Sequence, residues 1–216
     1  MTQRTFAFAF KPLAVLTVFF SLPALAATES PSGPSLVTAL RQGGYVLVMR
    51  HPSSPPTPPE KASADPVNTQ LERQLDEVGR NTARAMGQAI RDLHIPIGTV
   101  LTSPTFRARQ AIELFALGEA TVVSELGEGE QGMMATADAT RSEWLRKKSS
   151  ESPPSGTNTL IVTHTPNLAG AFGERAKGVA AGETLVFRPN GKGQVDLVTR
   201  VKIEEWPKLL KASRSN

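Results

Sequence analysis

The sequence predicts an α/β fold: a three-layer α/β/α sandwich whose central sheet is mostly parallel with an antiparallel edge. Three observations carry this. Two short apolar runs, YVLVM at 45–49 and TLIVT at 159–163, show no polar alternation. Such runs suit strands buried on both faces of a parallel sheet. Segments of helical spacing alternate with runs of this kind, the pattern of successive strand–helix units. Towards the C-terminus, residues 183–188 and 194–201 flank Asn190-Gly191-Lys192-Gly193, a hairpin turn signal that implies an antiparallel edge.

Taken in order, the first 26 residues read as a secretory signal peptide. Arg4 and Lys11 precede an apolar stretch over 12–22, and Ala24-Leu25-Ala26 forms a small-x-small cleavage site. The apolar stretch is short for a membrane span and ends at Pro23, so no stable membrane anchor is expected after cleavage. A periplasmic or secreted location follows. Residues 27–34 read as a flexible lead-in to one domain over 35–216. Ser35 is expected to cap a short helix to Gln42, stopped by Gly43-Gly44. After the strand at 45–49, residues 52–70 hold six prolines and form a long irregular loop.

A helix is expected from Asp76, its N-cap, to Leu93, with Leu75, Val78, Met86, Ile90 and Leu93 on the apolar side. A strand at 99–102 leads into Ser103-Pro104, expected to open the next helix with Pro in its first turn. A third strand is expected at 120–123 and a Gly- and Met-rich loop at 127–138. A charged helix near 140–148, the strand at 159–163, a helix from Pro166, the hairpin and a last helix holding Trp206 complete the chain. There is no internal repeat.

Composition narrows the chemistry. The 216 residues contain no cysteine, which removes disulfides, zinc–thiolate sites and cysteine nucleophiles. Removing Arg4 and Lys11 leaves 22 basic against 20 acidic residues, and no basic block suggests nucleic acid. No carboxylate cluster or His-x-x-x-His pair offers a metal site, and no cofactor is expected.

Of the three histidines, His51 and His164 share one context: each directly follows a buried apolar strand. In an open parallel sheet, ligands bind outside the carboxyl ends of the strands, so these two side chains can meet there. Arg50 stands beside His51. Arg107 lies on the helix after TSPTF, and its planar fork suits phosphate oxygens. Two arginines and two histidines around one point make an oxyanion pocket, and phosphoryl transfer needs mainly positioning and charge stabilisation. His94, at a helix C-terminus, reads as structural. Arg109 is two residues from Arg107 and faces away from it.

The ordered set VLVMRH, TSPTFRARQ and LIVTHTPNL resembles the histidine phosphatase superfamily, with its phosphoglycerate mutase-like fold. RQLDEVGRNTARAMGQAI resembles the family's first long helix, and the resemblance covers about residues 35–200. It implies that His51 attacks phosphorus, that Arg50, Arg107 and His164 hold the phosphoryl oxygens, and that an acid in a Leu-x-Glu context protonates the leaving group. Leu126-Gly127-Glu128 matches that context, with Glu125 and Glu130 as competitors. The family's second residue after Arg is here Pro52, and Ala111-Ile112 stands where Thr-Ala is usual. Phosphate chemistry is expected, mutase activity is not. The expected substrate is a small-molecule or protein phosphate. A phosphohistidine or envelope sugar-phosphate phosphatase is an open alternative, as is a non-catalytic phosphate-ligand or partner-binding protein on the same fold.

Overall fold

The structure, a computed structural model, describes residue 2, residues 31–128 and residues 139–214. The expected signal peptide therefore lies outside the described residues apart from residue 2, as do Glu130 and residues 129–138 of the expected loop. Six strands form one sheet: β1 Val46–Arg50, β2 Ile97–Thr102, β3 Thr121–Val122, β4 Asn158–Thr163, β5 Thr184–Pro189 and β6 Val195–Val201. Their order is β3-β2-β4-β1-β5-β6. β4 runs parallel to β1 and β2, and β2 to β3. β5 is antiparallel to both β1 and β6. This is the expected sandwich with its antiparallel edge.

The central strands are apolar throughout because both faces are covered. Leu47, Met49, Leu160 and Val162 pack in one core with side chains of α1 (Gly33–Gln42), α2 (Glu77–Asp92), α3 (Phe106–Phe115) and α6 (Trp206–Arg214). Val46, Val48 and Ile161 point the other way, into a core shared with α4 (Ala139–Ser149) and α5 (Thr165–Phe172). Successive strand residues alternate faces, so a strand buried on both sides has no polar position to offer. Among the described residues, no helix is long and apolar enough to cross a membrane.

Several boundaries differ from expectation, each for a local reason. α1 begins at Gly33, inside the expected lead-in, with Ser32 rather than Ser35 as its N-cap. Pro34 is set for an early helical position, and the Ser35 hydroxyl instead accepts from the Ser32 N–H at 3.1 Å. α3 starts after Thr105, so Pro104 lies outside its first turn. Ser103 still donates its N–H to Val162 of β4, which holds the chain extended to that point. Val78 is exposed, and Ala83, Met86, Ala89 and Ile90 carry the buried side of α2. The expected strand at 120–123 pairs only at Thr121-Val122, on the sheet edge.

The Pro-rich loop after β1 is irregular but internally bonded. Asn68 exchanges two hydrogen bonds with the Glu72 backbone, at 2.7 and 2.9 Å. Gln110 of α3 pins the loop at two points, donating to Asp65 at 3.0 Å and accepting from the Leu75 N–H at 2.8 Å.

Candidate active site

The register of β1 on β4 builds the centre of the site. Arg50 pairs with Thr163, so the next residues, His51 and His164, leave adjacent parallel strands side by side. The His51 N–H donates to the Thr163 carbonyl at 3.0 Å, which carries the pairing one residue past the strand. The two imidazole centroids lie 5.1 Å apart with their planes at 62°. Both rings are buried.

His51 is held as a directed neutral base. Its Nδ1 is 2.7 Å from the Pro52 carbonyl, an acceptor, so Nδ1 carries the hydrogen. Nε2 is then a lone pair, and it accepts from the Arg107 Nε–H at 3.1 Å. Burial, then the positive neighbours His164 and Arg107, pull the His51 pKa down to about 3. The ring is therefore neutral at any ordinary pH.

Arg107 arrives from the first turn of α3, a position set by the Ser103–Val162 backbone bond and by Glu72, whose carboxylate accepts from the Phe106 N–H at 2.8 Å. Its Nη2 lies 3.2 Å from His164 Nδ1. Glu128, just beyond the turn after β3, reaches the same two groups: Oε2 is 2.5 Å from Arg107 Nη2 and Oε1 is 3.1 Å from His164 Nδ1. The hydrogen bond from His164 and the Arg107 charge outweigh partial burial and hold the Glu128 carboxyl far below the usual carboxylate range. For His164, burial lowers the pKa and the hydrogen bond to Glu128 only partly offsets it.

Arg50, the residue before His51, is bonded to a different part of the chain. Its Nη1 donates to the Val179 carbonyl at 3.1 Å, while its Nε is buried with no protein acceptor. The loop it rests on is tied down by Glu183, which binds Arg200 through both oxygens at 2.8 Å and accepts from the Ala180 N–H at 2.7 Å.

The structure brings His51, Arg107, His164 and Glu128 into direct contact, and Arg50 lies near enough to His51 to repel its charged form. Glu125 turns instead to the Ser124 hydroxyl, at 2.8 Å. His94 ends α2 with a left-handed φ of 54° and is exposed. Arg109 is half exposed and pairs with Glu72 at 3.9 Å.

Three contributors were missed in the sequence. Ser103 places its hydroxyl 2.8 Å from His164 Nε2, and Thr105 adds a contact at 3.4 Å. Ser103 follows β2 as the histidines follow β1 and β4, and that shared context is the signal that marks it. Arg73 lies in the irregular loop, where no periodicity points to it. Its guanidinium donates to Pro55 at 2.7 Å. Burial first, then repulsion from Arg107, lowers its pKa, so its charge belongs to the same positive field.

His51, Glu128 and His164 present ligand atoms within 4.8 Å of one another, a set that could in principle hold a cation. Arg107 lies against all three, donating to His51, pairing with Glu128 and bringing Nη2 within 3.2 Å of His164 Nδ1, and a guanidinium keeps its charge at every accessible pH. The fixed positive centre makes an anion the better occupant.

Two strand-end histidines sharing one arginine, over the carboxyl ends of a parallel sheet, define a class. The chain belongs to the histidine phosphatase superfamily (branch 1), whose model matches residues 46–163, from the start of β1 to the end of β4. In fold it is similar to the protein histidine phosphatase SixA complexed with tungstate, at 19% identity and TM-score 0.53, covering 74% of this chain and 98% of that one. It is also similar to a phosphoserine phosphatase variant from Entamoeba histolytica in complex with phosphoserine, at 10% identity and TM-score 0.51, with 74% and 98% covered. At these identities the similarity concerns the fold alone. No curated protein matches the sequence.

Proposed function

We propose that the chain is an exported phosphatase that hydrolyses phosphomonoesters, without a metal, through a phosphohistidine on His51. The observation that carries this is the Nδ1–Pro52 bond, which leaves a neutral, buried Nε2 facing the guanidinium of Arg107. In the reaction, Nε2 forms a bond to phosphorus and the bond from phosphorus to the leaving oxygen breaks. The leaving oxygen takes a proton through Glu128, which is ionised in the resting site and acquires that proton from the incoming phosphomonoester monoanion. Water then attacks the phosphohistidine, inorganic phosphate departs, His51 regains its lone pair, and the proton lost by water returns to Glu128. Arg50 and Arg107 supply the charge that a transferring phosphoryl group needs, a role a metal fills elsewhere. The unpartnered Nε of Arg50 is a donor awaiting a ligand oxygen. Export rests on residues 1–26.

A second substrate class, a phosphohistidine, is suggested by the fold similarity to SixA. The carboxylate at the site favours esters, because an ester oxygen leaves poorly without a proton. The test uses His51→Ala on a phosphoserine monoester and on a phosphohistidine peptide. Wild type is expected to turn over the ester faster, and the variant to fall by at least about a thousandfold on both. Turnover that survives the substitution sinks the mechanism.

A further inference from the structure

The phosphoryl-binding donors are not open in this structure. Arg107 Nη2 and His164 Nδ1 both face the carboxylate of Glu128, one oxygen on each, and Arg107 Nε covers the lone pair of His51. The carboxylate reaches these buried donors from the mouth of the site: the Glu128 side chain is 35% exposed, against 4% for Arg107 and 1% for His164. Its backbone root is fixed. The Leu126 carbonyl accepts from Thr163 Oγ1 and from Asn167 Nδ2, each at 3.0 Å, and the Gly127 carbonyl accepts from Asn167 Nδ2 at 3.0 Å.

From this arrangement we infer that Glu128 is an internal oxyanion, occupying the phosphoryl pocket of the resting enzyme and expelled by the ligand. The inference rests on the phosphoryl-site reading above and deepens it. A carboxylate with two oxygens on two donors is a smaller version of the ligand the pocket binds. It keeps two buried donors satisfied when no ligand is present. It also sets a threshold, because every incoming oxyanion must replace two charge-assisted hydrogen bonds before it gains any. Since Leu126 and Gly127 are clamped to β4 and α5, withdrawal is a rotation of the Glu128 side chain, not a movement of the turn before it. The displaced carboxyl then stays at the rim, beside the leaving oxygen, where an acid is needed. Competition with the ligand and proton donation are thus two positions of one side chain.

Tungstate, a tetrahedral dianion that is not turned over, tests this by calorimetric titration of wild type, Glu128→Gln and Glu128→Ala at pH 7.5. Both variants are expected to bind tungstate about 10- to 100-fold more tightly than wild type, the worth of a charge-assisted hydrogen bond removed from the unliganded side. Equal or weaker binding in both variants overturns the inference while leaving the phosphoryl-site reading intact. Absence of tungstate binding in all three proteins overturns that reading and this inference with it. A crystal structure of the wild-type complex gives the second readout. The carboxylate is expected to lie away from Arg107 and His164, and one that keeps both contacts beside bound tungstate rules out displacement.

Discussion

At the residue scale, the least obvious requirement falls on His164. To hold a phosphoryl oxygen it must present a hydrogen on Nδ1, yet it is fully buried, and burial opposes the doubly protonated ring. A neutral ring with hydrogen on Nδ1 needs a donor at Nε2. The Ser103 hydroxyl, 2.8 Å away, is that donor, and it is closer to the ring than to Thr105 Oγ1 at 3.2 Å. Ser103 is therefore a positioning residue that selects the tautomer. Ser103→Ala leaves Nε2 with only the longer contact to Thr105 Oγ1, at 3.4 Å, and weakens the preference for hydrogen on Nδ1, so that a lone pair can turn towards the phosphate. A loss of about 1.5–3 kcal/mol of transition-state binding follows, read as a fall in kcat/KM of about 10- to 100-fold. Ser103→Thr keeps the hydroxyl and should restore most of the rate. A Thr variant as slow as the Ala variant points to packing in place of tautomer control.

At the element scale, the site is made by strand ends, which is why much of it was legible. YVLVM and TLIVT announced strands covered on both faces, and whatever follows such strands lies on the ligand side of the sheet. That β1 and β4 are direct neighbours, with Arg50 opposite Thr163, was not legible, because strand order depends on crossovers that leave no local pattern. The Leu-x-Glu context put Glu128 ahead of Glu125 in the sequence, but the physical reason for that choice was not legible there. It depends on the 3-10 turn at Ser124–Leu126 and on Asn167, a residue about forty positions downstream, holding the turn to β4. The LDEVGR segment was legible as a helix start, and the structure adds the reason for Gly79. A Cβ there would run into the Ser53 carbonyl, two residues after His51. Asp76 fastens the same junction: it accepts from the Gly79 N–H at 2.7 Å as N-cap and from the Ser53 hydroxyl at 2.6 Å. Pro52, whose carbonyl orients His51, lies between His51 and this clamp. Asp76→Ala should cost about 1 kcal/mol of stability, a fall in Tm of about 2–4 °C. It should also lower kcat, since the chain after Pro52 loses the Ser53 hydroxyl bond and keeps only the backbone bond from the Asp76 N–H to the Ser53 carbonyl. An unchanged kcat with the expected fall in Tm would confine Asp76 to capping the helix.

At the scale of the whole molecule, two histidines buried beside an arginine make the fold sensitive to acid. His51 has a pKa of about 3 in the folded protein against 6.5 in its unperturbed state. A base whose pKa drops on folding binds fewer protons folded than unfolded wherever the pH lies between the two values. Its contribution is therefore complete above about 6.5 and is lost as the pH falls towards 3. His164 is shifted in the same direction, so it adds to the same loss. The depressed carboxyl of Glu128 also contributes only above its unfolded pKa, so it deepens the loss below about 4.5. No group of the site opposes this trend. From His51 alone, lowering the pH from 7.5 to 5 should remove about 2 kcal/mol of unfolding free energy, from 1.4 kcal/mol per pH unit across the window below 6.5. Urea unfolding at the two pH values, in buffers free of phosphate and sulfate, measures it. His51→Gln should show a difference between the two pH values smaller by about that amount, whatever its own stability at pH 7.5. A variant that loses as much stability as wild type would show that His51 is not held neutral by the fold, and the case for a ready nucleophile would go with it.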